Sequence, residues 1–114
     1  MNSYERGLLA EEYAAKIMRL KGYHIIERRF KSYVGEIDLI CRKKDIVVFV
    51  EVKQRKNRQQ FFEAISRTQQ KRIMRAAAAY LKYRKLYNVT QRFDIFFISL
   101  PFYYRHIKNV FWES

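Results

Sequence analysis

The sequence predicts a small domain of mixed α/β (α+β) structure, and three observations carry that expectation. Apolar residues recur at helical spacing over residues 4–20 and again from 63 to about 87. Runs rich in Val, Ile and Phe, with strand-like alternation, lie between and after those segments. The resulting order is helix, three strands, helix, strand. At 114 residues and 49% hydrophobic content the chain can build one core rather than two. A single domain over 1–114 is therefore expected, with its core in about 4–100 and an aromatic C-terminal extension over 101–114.

Each element has its own signal. In the first helix Glu5, Glu12, Lys16 and Arg19 gather on a polar arc, while Ala10, Tyr13, Ala14, Ile17 and Met18 gather opposite, and Gly22 follows as a C-cap. Residues 23–28 read as a strand and 29–33 as a basic connector. Gly35 opens the alternating run 36–41, and the polar residues 42–45 are expected to turn a hairpin. Residues 46–53 form the strongest strand, and 54–60, with no apolar residue, a basic loop. The second helix is expected to break near 66–68 and to lie close against a sheet through Ala76, Ala77, Ala78 and Ala79. A core strand over 93–100 is stopped by Pro101, and a short edge strand is expected over 107–112.

Composition narrows the function. No run approaches the roughly 20 apolar residues that span a bilayer. The first residues carry no signal-peptide pattern, so a cytoplasmic protein with no membrane partner is expected. One cysteine, Cys41, allows neither an internal disulfide nor a four-cysteine zinc site, and reads as a small buried hydrophobe. Three glycines rule out a Gly-rich phosphate loop of the Walker type. His24 and His106 have no ligand spacing and are expected to be incidental.

The net charge of +13 is unevenly spread: eleven basic residues and one acid fall between Lys53 and Lys85. A field of one sign attracts a polyanion and exchanges its counterions on contact, so nucleic acid is the expected partner. Arg55, Lys56, Arg58, Lys71, Arg72 and Arg75 are the candidate phosphate contacts. The aromatics Phe102, Tyr103, Tyr104, Phe111 and Trp112 stay open to three readings: a homodimer interface, a base-stacking surface, or simple cover for the sheet.

The sharpest signal is acids inside apolar strands. A hairpin turning at Lys44-Asp45 pairs residues whose numbers sum to 89, which sets Asp38 opposite Glu51 on one face. Lys53 shares that face, and Glu11 falls on the apolar side of the first helix. Two carboxylates that close repel unless a cation stands between them: Lys53, or a hard divalent ion such as Mg²⁺ or Mn²⁺. A plain salt-bridge network on an exposed sheet face is the competing reading, with the protein a basic nucleic-acid-binding module that cuts nothing.

Gly7 and Glu11, Gly22-Tyr23, Gly35-Glu36-Ile37-Asp38-Leu39-Ile40, Glu51-Val52-Lys53 with Arg55, and Arg92-Phe93-Asp94 occur in an order that closely resembles the YraN-like uncharacterised bacterial proteins. That family is in turn distantly similar to archaeal Holliday junction resolvases of the PD-(D/E)XK nuclease superfamily. The resemblance covers residues 4–100 and implies a restriction-endonuclease-like fold, a mixed central sheet flanked by helices. It implies that Asp38, Glu51 and Lys53 are the catalytic set, with Glu11 the helix glutamate. Asp38, Glu51 and Glu11 would be metal ligands for Mg²⁺ or Mn²⁺, and Glu36 a supporting residue. The implied activity is structure-directed endonucleolytic hydrolysis of DNA, branched or single-stranded. Phe61-Phe62 departs from the family's usual Phe-Gly in the loop after the lysine.

Overall fold

The computed structural model describes residues 1–62 and 66–110. It contains α1 (Ser3–Leu20), β1 (His24–Ser32), β2 (Gly35–Lys43), β3 (Ile46–Gln54), a 3-10 turn (Arg58–Phe62), α2 (Arg67–Tyr83), β4 (Thr90–Ser99) and β5 (Tyr103–Ile107). The strands form one mixed sheet in chain order, antiparallel except for the parallel β3–β4 pair, whose crossover carries α2. This is the restriction-endonuclease-like arrangement the resemblance implies. No helix among the described residues is long and apolar enough to cross a membrane.

Helix α1 starts where a capping box starts it. Asn2 Oδ1 accepts from the Glu5 amide at 2.8 Å and Glu5 Oε1 from the Asn2 amide at 3.0 Å, pairing two otherwise orphaned donors. Its small residues Ala10, Ala14 and Ala15, with Ile17 and Met18, pack on Leu39, Cys41, Val48, Val50, Phe96 and Ile98. On the other face of the sheet Ile73, Ala76, Ala77, Tyr80 and Leu81 of α2 pack on Ile40, Val47, Phe49, Phe93 and Ile95. Each strand thus divides its side chains between two cores, as a sheet covered on both faces requires.

Three segments differ from the sequence reading. Residues 29–33, expected to be a connector, continue β1 to Ser32, with Phe30 paired to Ile37 and Lys31 to Glu36. Their charges misled because β1 is an edge strand, where exposed Lys and Arg are tolerated and discourage pairing with other chains. Helix α2 is capped by Ser66 and ends at Tyr83 rather than near 87, because Lys85 takes a left-handed turn at φ 55°; the start expected at Glu63 lies outside the described residues. The last strand comes earlier than 107–112, at Tyr103–Ile107, so the segment read as an extension completes the sheet. Phe111 and Trp112 lie outside the described residues.

His106 is a correction of a different kind. Far from incidental, its side chain is 2% exposed and its Nε2 lies 2.7 Å from Oδ2 of Asp94, itself 1% exposed. Asp94 also accepts from Arg92 Nε and Nη2, each at 2.9 Å, and from the Asn109 amide at 3.0 Å. Arg92 reaches on to the Tyr23 hydroxyl at 2.8 Å, and Lys21 Nζ lies 2.7 Å from His106 Nδ1. An ionised Asp94 only accepts and a lysine ammonium only donates, which assigns the proton to Nε2 and leaves Nδ1 as acceptor. Burial pushes the Asp94 carboxyl up, but the bonds from His106 and Arg92 prevail and hold it below its ordinary range. The network ties β5 and the segment after it to β4 and to the end of α1. Asp94→Ala strands Arg92 and His106 without their acceptor, and should lower unfolding free energy in urea by about 3–5 kcal/mol. A loss under about 1 kcal/mol would show that the network does not hold this edge.

Candidate active site

The β2–β3 hairpin sets the acid pair. Its observed register runs from Lys43↔Ile46 to Leu39↔Val50, the sum of 89 expected from the turn, with Lys44 at φ 55° making the reversal. At the next step the ladder gives way to a side chain: Asp38 Oδ2 accepts the Val52 amide at 2.8 Å. Glu51 is the acidic neighbour that acts on the Asp38 carboxyl. Lys53 Nζ stands 3.7 Å from Glu51 Oε2, with both side chains largely covered. The three residues predicted to converge are therefore neighbours.

Their electrostatics follow from that placement. Burial, then the hydrogen bond and the negative charge of Glu51, push the Asp38 carboxyl up to about 9; the Val52 amide and Lys53 oppose the shift without cancelling it. Near neutral pH the Asp38 carboxyl therefore keeps its proton.

Glu11 arrives from α1 alongside rather than within the pair. Its Oε1 accepts from Arg29 Nε at 2.9 Å. Burial raises its carboxyl, Arg29 pulls against that, and the charge of Asp38 adds to it. Glu11, Arg29, Lys31, Glu36 and Asp38 line one cavity of about 310 Å³ beside the first turns of α1. Among the described residues no three His, Cys, Asp or Glu side chains gather into a ready-made metal cage. Glu36 is exposed at the rim, 3.8 Å from Lys31.

The basic residues are placed by α2 and by the chain after β3. Gly35 allows a close approach: a Cβ there would lie 3.0 Å from the Arg72 carbonyl oxygen, so α2 seats tightly against the start of the strand that carries Asp38. Arg67, Lys71 and Arg75 follow at four-residue spacing on the exposed face of α2, and Arg72 is exposed beside them. Arg55 is fixed by its amide to the Ile98 carbonyl at 2.9 Å, Lys56 is exposed, and the Arg58 guanidinium lies 4.6 Å from the Tyr103 ring centroid.

Sequence reasoning missed Arg29. It stands in β1 between the pairs Arg28↔Leu39 and Phe30↔Ile37, across from Asp38, in a left-handed conformation at φ 48°. A non-glycine residue in that region is strained, and no sequence pattern marks it.

The Asp38 shift has a measurable sign. A carboxyl whose folded pKa is raised contributes fully to stability below the ordinary aspartate range and loses that contribution as pH climbs toward 9. Asp38→Asn cannot ionise yet keeps an acceptor for Val52. Its stability relative to wild type should therefore rise by up to about 1.4 kcal/mol per pH unit between about pH 5 and pH 9, in urea denaturation. A difference that does not change with pH would contradict the upward shift of Asp38.

Comparison with known proteins places the chain. The model of the uncharacterised protein family UPF0102 matches residues 10–98. A UPF0102 protein of Bartonella tribocorum is 45% identical over 111 residues, covering 96% of this chain and 85% of the relative. One from Mesorhizobium japonicum is 41% identical, covering 96% and 89%, and one from Clostridium beijerinckii is 34% identical, covering 92% and 91%. The match runs from the middle of α1 to the end of β4 and includes Glu11, Asp38, Glu51 and Lys53. The chain belongs to the UPF0102 (YraN-like) family.

Proposed function

We propose that this protein is a metal-dependent endonuclease that hydrolyses phosphodiester bonds in DNA, directed by the structure of the DNA rather than by its sequence. The observation that carries the reading is the covered Asp38–Glu51 pair with Lys53 beside it. Two hard oxygen donors suit Mg²⁺ or Mn²⁺, which take one or two carboxylates and keep waters and substrate phosphate in their other positions. Asp38 and Glu51 would hold the ion, with Glu11 acting through its neighbourhood to Asp38. The bound ion would supply an acidified water and neutralise charge on the phosphate.

The remaining work falls to the chain. Lys53, whose ammonium is kept close by Glu51, orients the attacking water and meets the charge that grows on the phosphate. Arg29 pairs with Glu11 at 2.9 Å and so keeps that carboxylate in place in the cavity it shares with Asp38. The α2 stripe and Arg55, Lys56 and Arg58 grip phosphates and read no bases, which favours recognition of shape. A homodimer with one such site per copy would cut both strands.

The second reading, a binding module without catalysis, rests on the exposed basic residues Lys71, Arg72 and Arg75 of α2, which would hold phosphates without any metal. Incubation with linear, flap and four-way branched DNA in Mg²⁺, Mn²⁺ or EDTA separates the two. Cleavage that needs the ion and falls by about 100-fold or more in both Asp38→Asn and Glu51→Gln, with DNA binding retained, is the expected outcome. Cleavage that survives both substitutions would overturn the site, and binding with no cleavage under any condition would favour the module.

A further inference from the structure

A second cleft, of about 520 Å³, adjoins the acid cavity along β1 and is lined by Glu27, Arg29, Phe30, Lys31, Ser32 and Tyr83. Arg29 and Lys31 line both hollows, so the two share a wall made by the outer strand. The strained φ of 48° at Arg29 falls in that wall. Phe30 is held against Tyr80 edge to face, with centroids 5.0 Å apart, and forms a fixed apolar patch. Tyr83, the last residue of α2, leaves 73% of its surface exposed at the cleft. Glu27 is turned toward Arg84 at 3.7 Å, which offsets the only carboxylate in the lining, while the Lys31 side chain is 74% exposed.

A planar ring offered to solvent in a cleft that also holds Arg29, paired with Glu11 at 2.9 Å, and the exposed Lys31, 3.8 Å from Glu36, matches one kind of ligand, a planar base joined to a phosphate. Bases inside a duplex have both faces covered by their neighbours, so a side-chain ring can stack only on one that has left the helix. We propose that this cleft seats an unpaired nucleotide of the substrate strand, with its base on Tyr83 and its phosphate at Lys31. The substrate is then DNA in which a single-stranded segment adjoins the duplex close to the bond at Asp38 and Glu51. The inference rests on the nucleic-acid reading of the acid site, but the binding it describes needs no cleavage.

The test therefore runs in EDTA. A fluorescent adenine analogue is placed at successive positions of the unpaired arm of a splayed duplex, and a blunt duplex of the same length serves as control. Wild type should quench the analogue at one or two arm positions; Tyr83→Ala should abolish that quenching and Tyr83→Trp restore it. Affinity for the splayed duplex should fall about tenfold in Tyr83→Ala, with affinity for the blunt duplex unchanged. Equal effects on the two DNAs, or quenching that persists in Tyr83→Ala, would overturn the inference. If Asp38-dependent cleavage is found while Tyr83→Ala binds like wild type, the cleft proposal fails and the nuclease reading stands. Tyr83-dependent quenching without cleavage in any metal supports the cleft and removes the nuclease.

Discussion

Two carboxyl groups brought together under cover cannot both be charged unless a cation joins them, and that constraint organises the site. The β2–β3 ladder stops where Asp38 takes the Val52 amide, and this leaves the carboxyl under the influence of Glu51, with the Lys53 charge opposing. Burial and the neighbouring Glu51 outweigh that ammonium, so the Asp38 carboxyl is driven up to about 9. Packing of α2 on Gly35 and of α1 along the other face brings the basic helix and Glu11 to the same end of the sheet.

The same sheet holds a second buried aspartate with the opposite chemistry. Asp94 is met by Arg92, His106 and the Asn109 amide, and stays ionised as a structural anchor. Asp38 is met by one amide and another acid, and its carboxyl is driven upward. Burial acts in the same direction on both; the supply of donors decides the outcome. Identical residue types thus divide into one that holds the fold as a carboxylate and one whose carboxyl keeps its proton near neutral pH.

Much of this was legible in the chain. The hairpin register follows from a short polar turn between alternating runs, which sets Asp38 opposite Glu51, and the observed pairs keep the same sum. The helix faces followed from periodicity. What stayed hidden depends on tertiary context. The outer half of β1 is charged because an edge strand faces water, which by composition is indistinguishable from a connector. The role of His106 needs Asp94, twelve residues earlier, brought beside it by the β4–β5 pairing. The one available hint was an acid inside the otherwise apolar run from Phe93 to Ile98. Arg29 owes its place to a backbone conformation that no residue pattern announces.

The proposed function requires a divalent cation to displace the proton that Asp38 keeps near neutral pH. Calorimetric titration with Mn²⁺ near pH 7, repeated in two buffers of different ionisation enthalpy, measures the protons released on binding. The expected result is binding at a defined stoichiometry with release of up to about one proton per ion, and no release from Asp38→Asn. Binding without proton release in the native protein, or release that persists after that substitution, would contradict it.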